Sequence, residues 1–408
     1  MPDQKLTSYF DDWRQREELA ESMIPLIGAL YRNHGVVTTI YGRSLINKST
    51  IDILKAQRFT RKILSEELSL GSCKAVLEVI GKLNLAAARI DLGKMTAKFE
   101  RNGNGADVTA FVKRELAAAE SLHAVSDHPQ DVVLYGFGRV GRMIARILIE
   151  RSGGGDKWRL RAIVVQKRKD DSLLKRASLL RRDSVHGQFN GTITIDTEEN
   201  AIVANGNMIR VLYADAPEDL DYTKYEISDA IVVDNSGAWR DRKGLSRHLM
   251  CNGVAKVVLT APGKDDIPNI VYGVNNGCIK EEEDLFSAGS CTTNAIVPVL
   301  KAINDRFGIE SGHIETCHSY TNDQNLTDNF HKFARRGRAA PLNMVITETG
   351  AAAAVGKVLP DLDGRLTANA IRVPTPNVSL AILSLNLNST VSIDQVNGYL
   401  RDISLESP

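Results

Sequence analysis

The chain has 408 residues, of which 43% are hydrophobic and 25% are charged, and its 51 basic side chains nearly balance 50 acidic ones. This length suggests two or three domains, and the composition excludes collagen-like, mucin-like and wholly disordered chains. A net charge of +1 gives no overall attraction to nucleic acid or to an anionic membrane.

Residues 1–127 show mainly helical patterns. Apolar residues recur at helical spacing between Trp13 and Tyr31, and the same pattern returns at 51–54, 76–83 and 111–119. Asp107 follows a glycine-rich breaker and is a candidate N-cap for the last of these helices. The start of the chain lacks the basic and apolar regions of a signal peptide, and no apolar run approaches the ~18 residues of a membrane span. We therefore expect a helical region, then a linker at 123–130, in a cytoplasmic protein.

Strands and helices alternate after residue 128. Short β-rich runs at 132–135, 159–165, 232–233, 256–259 and 270–272 are separated by helical or turn segments, including a helix at 142–149. Such alternation predicts a parallel sheet covered on both faces. A helix follows from Cys291 to about Phe307, and runs at 313–318 and 380–388 indicate a more antiparallel sheet. The predicted class is α/β, with domains at 1–127, 128–289 and 290–408.

A glycine motif, Gly136, Gly138 and Gly141, lies between the first of these strands and its helix. Glycines at this spacing permit a tight turn, close approach of a pyrophosphate and packing of helix on strand. The pattern alone is weak, and an ordinary turn is the alternative. The flanking strand and helix favour dinucleotide binding.

The choice of dinucleotide depends on the end of the second strand, where an acid would hold the ribose of NAD. No acid occurs there before Asp170, and residues 157–182 contain ten basic and two acidic side chains. A basic side chain that accepts a 2′-phosphate would indicate NADP. The alternative is a solvated basic surface that tolerates either cofactor.

Cys291 lies at the predicted start of a helix, where the helix dipole lowers a thiol pKa. His318 follows 27 residues later at the end of a predicted strand. A histidine beside such a thiol acts as its base or stabilises the thiolate. An inert buried cysteine and a core histidine are the alternative, because spacing along the chain does not prove proximity.

Several hydroxyl and guanidinium groups in the last third of the chain are candidate anion ligands. They are Thr321, Arg335, Arg338, Thr349, Gly350 and Arg372. Singly, each is more often a surface group. The five cysteines are scattered without a CxxC pair, and the remaining histidines show no ligand spacing, so we expect no disulfide framework and no metal site.

From Asp131 onward the chain resembles the phosphorylating glyceraldehyde-3-phosphate dehydrogenases. The resemblance is carried by motifs that occur in the family's order: Gly136-Phe-Gly-Arg-Val-Gly-Arg142, Asp183-Ser-Val-His-Gly187, Ser290-Cys-Thr-Thr-Asn294, Thr316-Cys-His-Ser-Tyr-Thr321, Gly337-Arg338, Thr349-Gly-Ala-Ala352, Val355-Gly-Lys-Val358 and Arg372-Val-Pro-Thr-Pro-Asn-Val-Ser379. It implies a Rossmann-type cofactor domain followed by an α+β catalytic domain.

The resemblance also implies residue roles. Cys291 would attack the aldehyde and His318 would activate it, giving a thioester that inorganic phosphate cleaves. Thr321 and Arg372 would hold the substrate phosphate. The attacking phosphate would be surrounded by Ser290, Thr292, Thr349 and Gly350, with Arg338 nearby. The dinucleotide contacts would come from Gly136, Gly138, Arg139, Val140, Gly141, Ser236, Gly237 and Thr260.

Three departures from the family pattern shape further expectations. Arg168 stands at the family's acid position, which puts strict NAD use in question. About 130 residues precede the glycine motif, and we expect them to form a solvated helical bundle, with a regulatory, oligomerisation or partner-binding role as the alternative. The family continues for roughly 80 residues past the point that matches Ser407, so we expect a C-terminally truncated chain. The family also suggests a homotetramer, with no nucleic-acid or membrane partner.

Two other functions remain open from the sequence. The related erythrose 4-phosphate dehydrogenases release a free acid instead of an acyl phosphate. A non-catalytic regulatory protein that senses nucleotides would keep the glycine motif but would not need Cys291, His318 or the anion ligands.

Overall fold

The computed structural model describes residues 2–64, 66–102, 107–121, 129–152, 158–166 and 172–406. Contacts divide the chain into two compact units. The first comprises Met1–Val132, Met143–Ala162 and Asn190–Arg210, and the second comprises Val133–Arg142, Ile163–Phe189 and Val211–Pro408. Among the described residues, no helix has both the length and the hydropathy needed to cross a membrane.

Twelve α-helices lie within the described residues. They are α1 Pro2–His34, α2 Thr50–Phe59, α3 Arg61–Leu64, α4 Leu70–Ile80, α5 Leu92–Asn102, α6 Val108–Ser121, α7 Arg139–Arg151, α8 Ser172–Arg181, α9 Arg242–Leu249, α10 Cys291–Phe307, α11 Ala351–Val358 and α12 Ile393–Glu406.

The described strands number seventeen. They are β1 Val37–Ile40, β2 Arg43–Ser44, β3 Arg89–Asp91, β4 Gln130–Tyr135, β5 Trp158–Val165, β6 Arg182–Asp183, β7 Gly187–Gln188, β8 Ile193–Asp196, β9 Ala201–Ala204, β10 Asn207–Tyr213, β11 Ala230–Asp234, β12 Val254–Leu259, β13 Leu285–Ser287, β14 Ile309–Ser319, β15 Val345–Thr347, β16 Leu366–Val373 and β17 Leu380–Leu387.

The N-terminal region is mostly helical, as predicted. Buried side chains of α1, among them Met23, Ile27 and Leu30, belong to one hydrophobic core with residues of α2, α4, α5 and α6. Asp107 accepts a hydrogen bond from the Thr109 amide at 2.9 Å, which confirms it as a cap of α6. Residues 123–128 of the predicted 123–130 linker lie outside the described residues, and Gln130 already belongs to β4.

A small sheet in this region, ordered β2-β1-β3, was not predicted. Its strands are only two to four residues long, too short for a clear alternating pattern. The Asp91 carboxylate joins its parts: it accepts hydrogen bonds from the amides of Tyr41 and Gly42 in the β1–β2 turn, at 2.9 and 2.8 Å. It also accepts from the Lys94 amide at 2.9 Å, at the start of α5. One side chain therefore closes a turn and caps a helix.

The largest sheet has the order β13-β12-β11-β4-β5-β10-β9-β8. Its pairs β11–β12 and β12–β13 are parallel, whereas β8, β9 and β10 form an antiparallel meander. The mixed sheet confirms the predicted α/β class, and the meander adds strands that the sequence did not reveal. The strand predicted at 270–272 is wrong. The Val271 amide bonds to the Asn275 side chain at 2.8 Å, and a turn follows, so only an isolated bridge from Asn269 to Ser287 remains.

The second sheet has the order β15-β16-β14-β17. Strand β14 pairs in parallel with β16 and antiparallel with β17. Residues of α10 and α11, including Ile296, Leu300 and Val355, share a buried core with Ile309 and Ile314 of β14. This core holds the first residue of α10, Cys291, near the end of β14. The helix predicted after Cys291 and both predicted strands are confirmed.

A partly buried ion pair fixes the helix that follows the glycine motif. Arg142, on α7, donates to Asp183 at 3.2 Å, and the two side chains are only 14% and 6% exposed. The other oxygen of Asp183 accepts from the amides of His186 and Val185, at 2.9 and 3.0 Å. These bonds, the His186 amide first, lower the pKa of Asp183 to about 2.

We predict that Asp183→Asn lowers the free energy of unfolding by about 1–2 kcal/mol at neutral pH, because the lost charge-assisted bonds correspond to the lowered pKa. Since the folded pKa lies below that of the unfolded chain, near 3.9, the stabilisation is present above that value and disappears as the pH falls toward 2. Urea unfolding between pH 7 and pH 3 measures this. Asp402→Asn, at an exposed position of α12, is the control, and an equal pH dependence in both variants would contradict the assignment.

Candidate active site

Cys291 is the first residue of α10, and its thiol is exposed. The preceding Ser290 caps the helix: its hydroxyl accepts the Thr293 amide at 3.0 Å. Gly289 has a φ of +69°, which favours glycine, and brings the chain into the helix. The thiol therefore lies at the positive end of a 17-residue helix.

His318 lies beside this thiol, with its Nε2 3.4 Å from Sγ of Cys291. The contact confirms the proximity that the sequence left open. The hydrogen bond to His318 is the main reason that the pKa of Cys291 is lowered to about 7. In return, the hydrogen bond to Cys291 raises the pKa of His318, against an opposing effect of burial and of the Arg372 charge. The contact therefore brings the pKa of the thiol close to neutral pH, where thiol and thiolate are both well populated.

Arg372 lies directly beside His318 because the two residues are register partners on β16 and β14. Its Nη1 is 2.7 Å from Nδ1 of His318 and 3.0 Å from the carbonyl oxygen of Ser319. From the sequence we predicted Arg372 only as an anion ligand, and no pattern indicated its contact with His318. A parallel register between the two motif strands is the signal that could have revealed it.

The other anion candidates occupy different settings. Thr349 and Gly350 precede α11, where the Thr349 hydroxyl accepts the Ala351 amide at 3.2 Å. Thr292 is the second residue of α10, next to Cys291. Arg338 pairs with Asp328 at 3.1 Å and is exposed. Thr321 is exposed just after β14, and Arg335 lies in the short 3₁₀ helix Ala334–Gly337.

A cavity of about 490 Å³ opens at the glycine motif. Gly136, Gly138 and Ser236 line it, together with Gln166 and Trp239. Gly136 has a φ of +93°, and a Cβ there would meet the Ser236 amide nitrogen at 3.0 Å. A Cβ on Gly141 would come within 2.4 Å of the Gly136 carbonyl oxygen, so the helix packs this closely only with glycine. The cavity, its glycines and the adjoining helix start suit a dinucleotide pyrophosphate.

The remaining cofactor candidates are near this cavity or outside the described residues. Arg139 and Val140 begin α7, and Gly237 has a φ of +68° in the turn after β11. The Thr260 hydroxyl donates to the Asp234 carbonyl at 3.0 Å and so braces that turn. Arg168 lies outside the described residues. Another basic side chain, Arg176, lines the cavity instead.

A buried pair that the sequence analysis did not recognise supports the same turn. Asp234 and His248 are both fully buried and 3.1 Å apart. The other oxygen of Asp234 accepts the amide and the hydroxyl of Ser236, both at 2.7 Å. The rings of Tyr135 and Trp239 pack edge-on against His248. The pair therefore fixes the conformation of a residue that lines the cavity.

Among the residues that the structure describes, no three histidine, cysteine or acidic side chains are grouped so that they could hold a metal ion.

The fold and this cavity are those of an α/β protein that binds a dinucleotide. Residues 130–242 match the family model described as the NAD binding domain of glyceraldehyde 3-phosphate dehydrogenase, and residues 290–407 match its C-terminal domain. The chain belongs to the glyceraldehyde-3-phosphate dehydrogenase family.

Curated relatives agree with this assignment. The chain is 59% identical to a glyceraldehyde-3-phosphate dehydrogenase-like protein of Pseudomonas aeruginosa, over 94% of this chain and 84% of the relative. It is 40% identical to a plasmid-encoded glyceraldehyde-3-phosphate dehydrogenase of Cupriavidus necator, over 66% of this chain and 78% of the relative. It is 36% identical to a glyceraldehyde-3-phosphate dehydrogenase of Streptococcus pyogenes, over 68% of this chain and 79% of the relative. The first relative thus shares most of the N-terminal region as well.

We predict that iodoacetamide alkylates Cys291 with a pH midpoint of about 7. His318→Gln should move that midpoint to higher pH, because it removes the hydrogen bond that most lowers the thiol pKa. Both measurements use a Cys278→Ser background, since Cys278 is also exposed. An unchanged midpoint in the His318 variant would rule out the ion pair.

We also predict that His248→Leu lowers the free energy of unfolding by about 3 kcal/mol, because it leaves a buried carboxylate without its partner. Combining it with Asp234→Asn should cost clearly less than the sum of the two single changes. Denaturant unfolding of the four proteins gives this coupling, and simple additivity would show that the pair is not energetically linked.

Proposed function

We propose that the protein oxidises glyceraldehyde 3-phosphate with inorganic phosphate and NAD or NADP to 1,3-bisphosphoglycerate, and catalyses the reverse reaction. The observation that carries this proposal is the 3.4 Å contact between the Cys291 thiol and His318 at the start of α10. Family membership supports the proposal. The chemistry also requires a nucleophile that is a good leaving group, and the thiolate of Cys291 is one.

The two residues would perform the covalent steps in turn. The Cys291 thiolate attacks the aldehyde carbon, a C–S bond forms, and His318 gives its Nε2 proton to the aldehyde oxygen. His318 then takes that proton back as the carbon is oxidised, which leaves a thioester on Cys291. When bound, the nicotinamide ring supplies the hydride acceptor. Inorganic phosphate attacks the thioester, the C–S bond breaks, and Cys291 leaves as a thiolate because the pKa of its thiol is low.

Two groups of residues would bind the phosphates. Thr321 and Arg372 hold the phosphate of the substrate. Ser290, Thr292, Thr349 and Gly350 surround the attacking phosphate, with Arg338 nearby. The starts of α10 and α11 support the second group, since helix N-termini attract anions.

The dinucleotide would bind in the glycine-lined cavity. Gly136, Gly138 and Gly141 allow its pyrophosphate to approach α7, and Arg139 and Val140 contribute contacts at the start of that helix. Ser236, Gly237 and Thr260 contribute from the opposite turn. Arg168 would accept a 2′-phosphate, which would favour NADP over NAD.

The assembly would be a homo-oligomer located in the cytoplasm. Exposed apolar side chains on β15 and β17 support self-association, since Ile346 is 57% exposed, Leu380 59% and Ile382 48%. Residues 1–127 would form a separate helical domain before the cofactor and catalytic domains at 128–289 and 290–408.

We predict phosphate-dependent reduction of the cofactor when the purified protein is given glyceraldehyde 3-phosphate. Cys291→Ser should abolish turnover, because serine is a far weaker nucleophile and leaving group, whereas Cys278→Ser, at an exposed cysteine outside the proposed site residues, should retain it. The ratio of initial rates with NAD and NADP tests the role of Arg168. Turnover that ignores phosphate would point to release of a free acid, and reduction by the serine variant would refute the mechanism.

A further inference from the structure

A guanidinium group lines the glycine-lined cavity at the point where β5 ends. Arg176 belongs to α8, and its side chain lines the cavity together with Gly136 and Gly138. Its Nε donates to the hydroxyl of Ser172 at 2.9 Å. Its Nη2 lies 3.5 Å from the carbonyl oxygen of Gln166, the residue that follows β5. One contact with its own helix and one with the strand end therefore place this guanidinium at the wall of the cavity.

The end of β5 has a defined function in a sheet that binds a dinucleotide. The pyrophosphate lies at the glycine turn after the first strand, and the adenosine ribose lies at the end of the second strand. Here β4 precedes the glycine turn, and β5 is both the next strand along the chain and its neighbour in the sheet. At this end an acidic side chain holds the 2′-hydroxyl of NAD, whereas an arginine accommodates the 2′-phosphate of NADP. The contact with Gln166 places the Arg176 guanidinium at that end.

We propose that Arg176 binds the 2′-phosphate of NADP and thereby determines how this cavity distinguishes NADP from NAD. This inference rests on the proposed function and names a residue that sets the cofactor preference of its site. Ser172 and Gln166 offer Arg176 only neutral acceptor atoms. A phosphate dianion offers charged ones, and a hydrogen bond between ionised groups is about twice as strong as a neutral one. The phosphate would therefore replace the 3.5 Å contact with Gln166 at little cost.

A carboxylate of the same cavity acts in the opposite direction. Asp215 lies just after β10, which is the other neighbour of β5 in the sheet, and it lines the cavity with Arg176. The preceding amide, of Ala214, donates to the carbonyl oxygen of Val165 at 3.2 Å, which keeps this segment next to the end of β5. A carboxylate accepts a hydrogen bond from a ribose hydroxyl but repels a phosphate. We therefore expect the cavity to bind both dinucleotides, with Arg176 favouring NADP and Asp215 favouring NAD.

The sequence indicated a different residue for this role. Arg168 was selected because it stands at the family's acid position, and it lies outside the described residues. Arg176 stands later in the chain, on α8, so no rule about the strand end selects it. The contact between its side chain and Gln166 does. The two assignments differ in which single substitution weakens the binding of NADPH.

The test measures equilibrium binding of NADPH and NADH to the full chain by quenching of protein fluorescence, since Trp239 lines the cavity. Arg176→Gln should raise the Kd for NADPH about tenfold or more, the effect of losing a hydrogen bond between charged groups, and should leave the Kd for NADH nearly unchanged. Arg176→Lys should fall between, because it keeps the charge but loses the planar fork. Asp215→Asn should tighten NADPH binding. Lys175→Gln removes a charge from the neighbouring, exposed position of α8 and should behave like the parent.

A second measurement isolates the 2′-phosphate itself. The nucleotides 2′,5′-ADP and 5′-AMP differ only in that group, and the first should displace NADH at the lower concentration. This advantage should shrink as salt is added and disappear in Arg176→Gln.

Three results would each overturn the proposal: a parent chain that does not bind NADPH, an equal loss of NADH and NADPH binding in Arg176→Gln, or a loss of NADPH binding in Arg168→Gln but not in Arg176→Gln. The second would show that Arg176 only shapes the cavity. All these titrations omit the aldehyde substrate. A chain that binds both dinucleotides as expected but shows no turnover would therefore refute the proposed function and leave this assignment standing.

Discussion

The parallel pairing of β14 with β16 is the constraint on which the candidate active site depends. It places His318 and Arg372 side by side. Residues of α10, whose first residue is Cys291, pack in the same buried core as residues of β14. Neither the thiol nor the imidazole is unusual alone. Their 3.4 Å separation makes the thiol acidic and the ring basic, and that separation depends on strand register and on how α10 packs against the sheet.

Much of this arrangement was predictable from the sequence, because the signals are local. The glycine motif, the helix that begins at Cys291 and the strand that carries His318 near its end all follow from short patterns. The α/β class followed from the alternation of strands and helices. Local patterns failed where contacts with other residues decide the structure. The run at 270–272 has the composition of a strand, but the Val271 amide donates to the side chain of Asn275 and is not available to a neighbouring strand.

The other missed features depend on residues far apart in the chain. Asp234 and His248 are separated by 14 positions and meet only because α9 packs against β12, the neighbour of β11 in the sheet. Arg372 reaches His318 across 54 positions. No spacing rule predicts such pairs, since they depend on strand order and register. The small sheet around Asp91 was missed for a different reason, because its strands are too short to show alternation.

The adjacency of His318 and Arg372 also has a kinetic consequence. Because neighbouring strands already hold both residues, turning the Arg372 guanidinium toward a phosphate would require only a rotation of its side chain and no displacement of the backbone. Side-chain rotations of this kind take picoseconds to nanoseconds, whereas loop and domain closures take microseconds or longer. The site would therefore respond to an arriving anion far faster than any turnover step, and backbone coordinates alone would show no trace of the response.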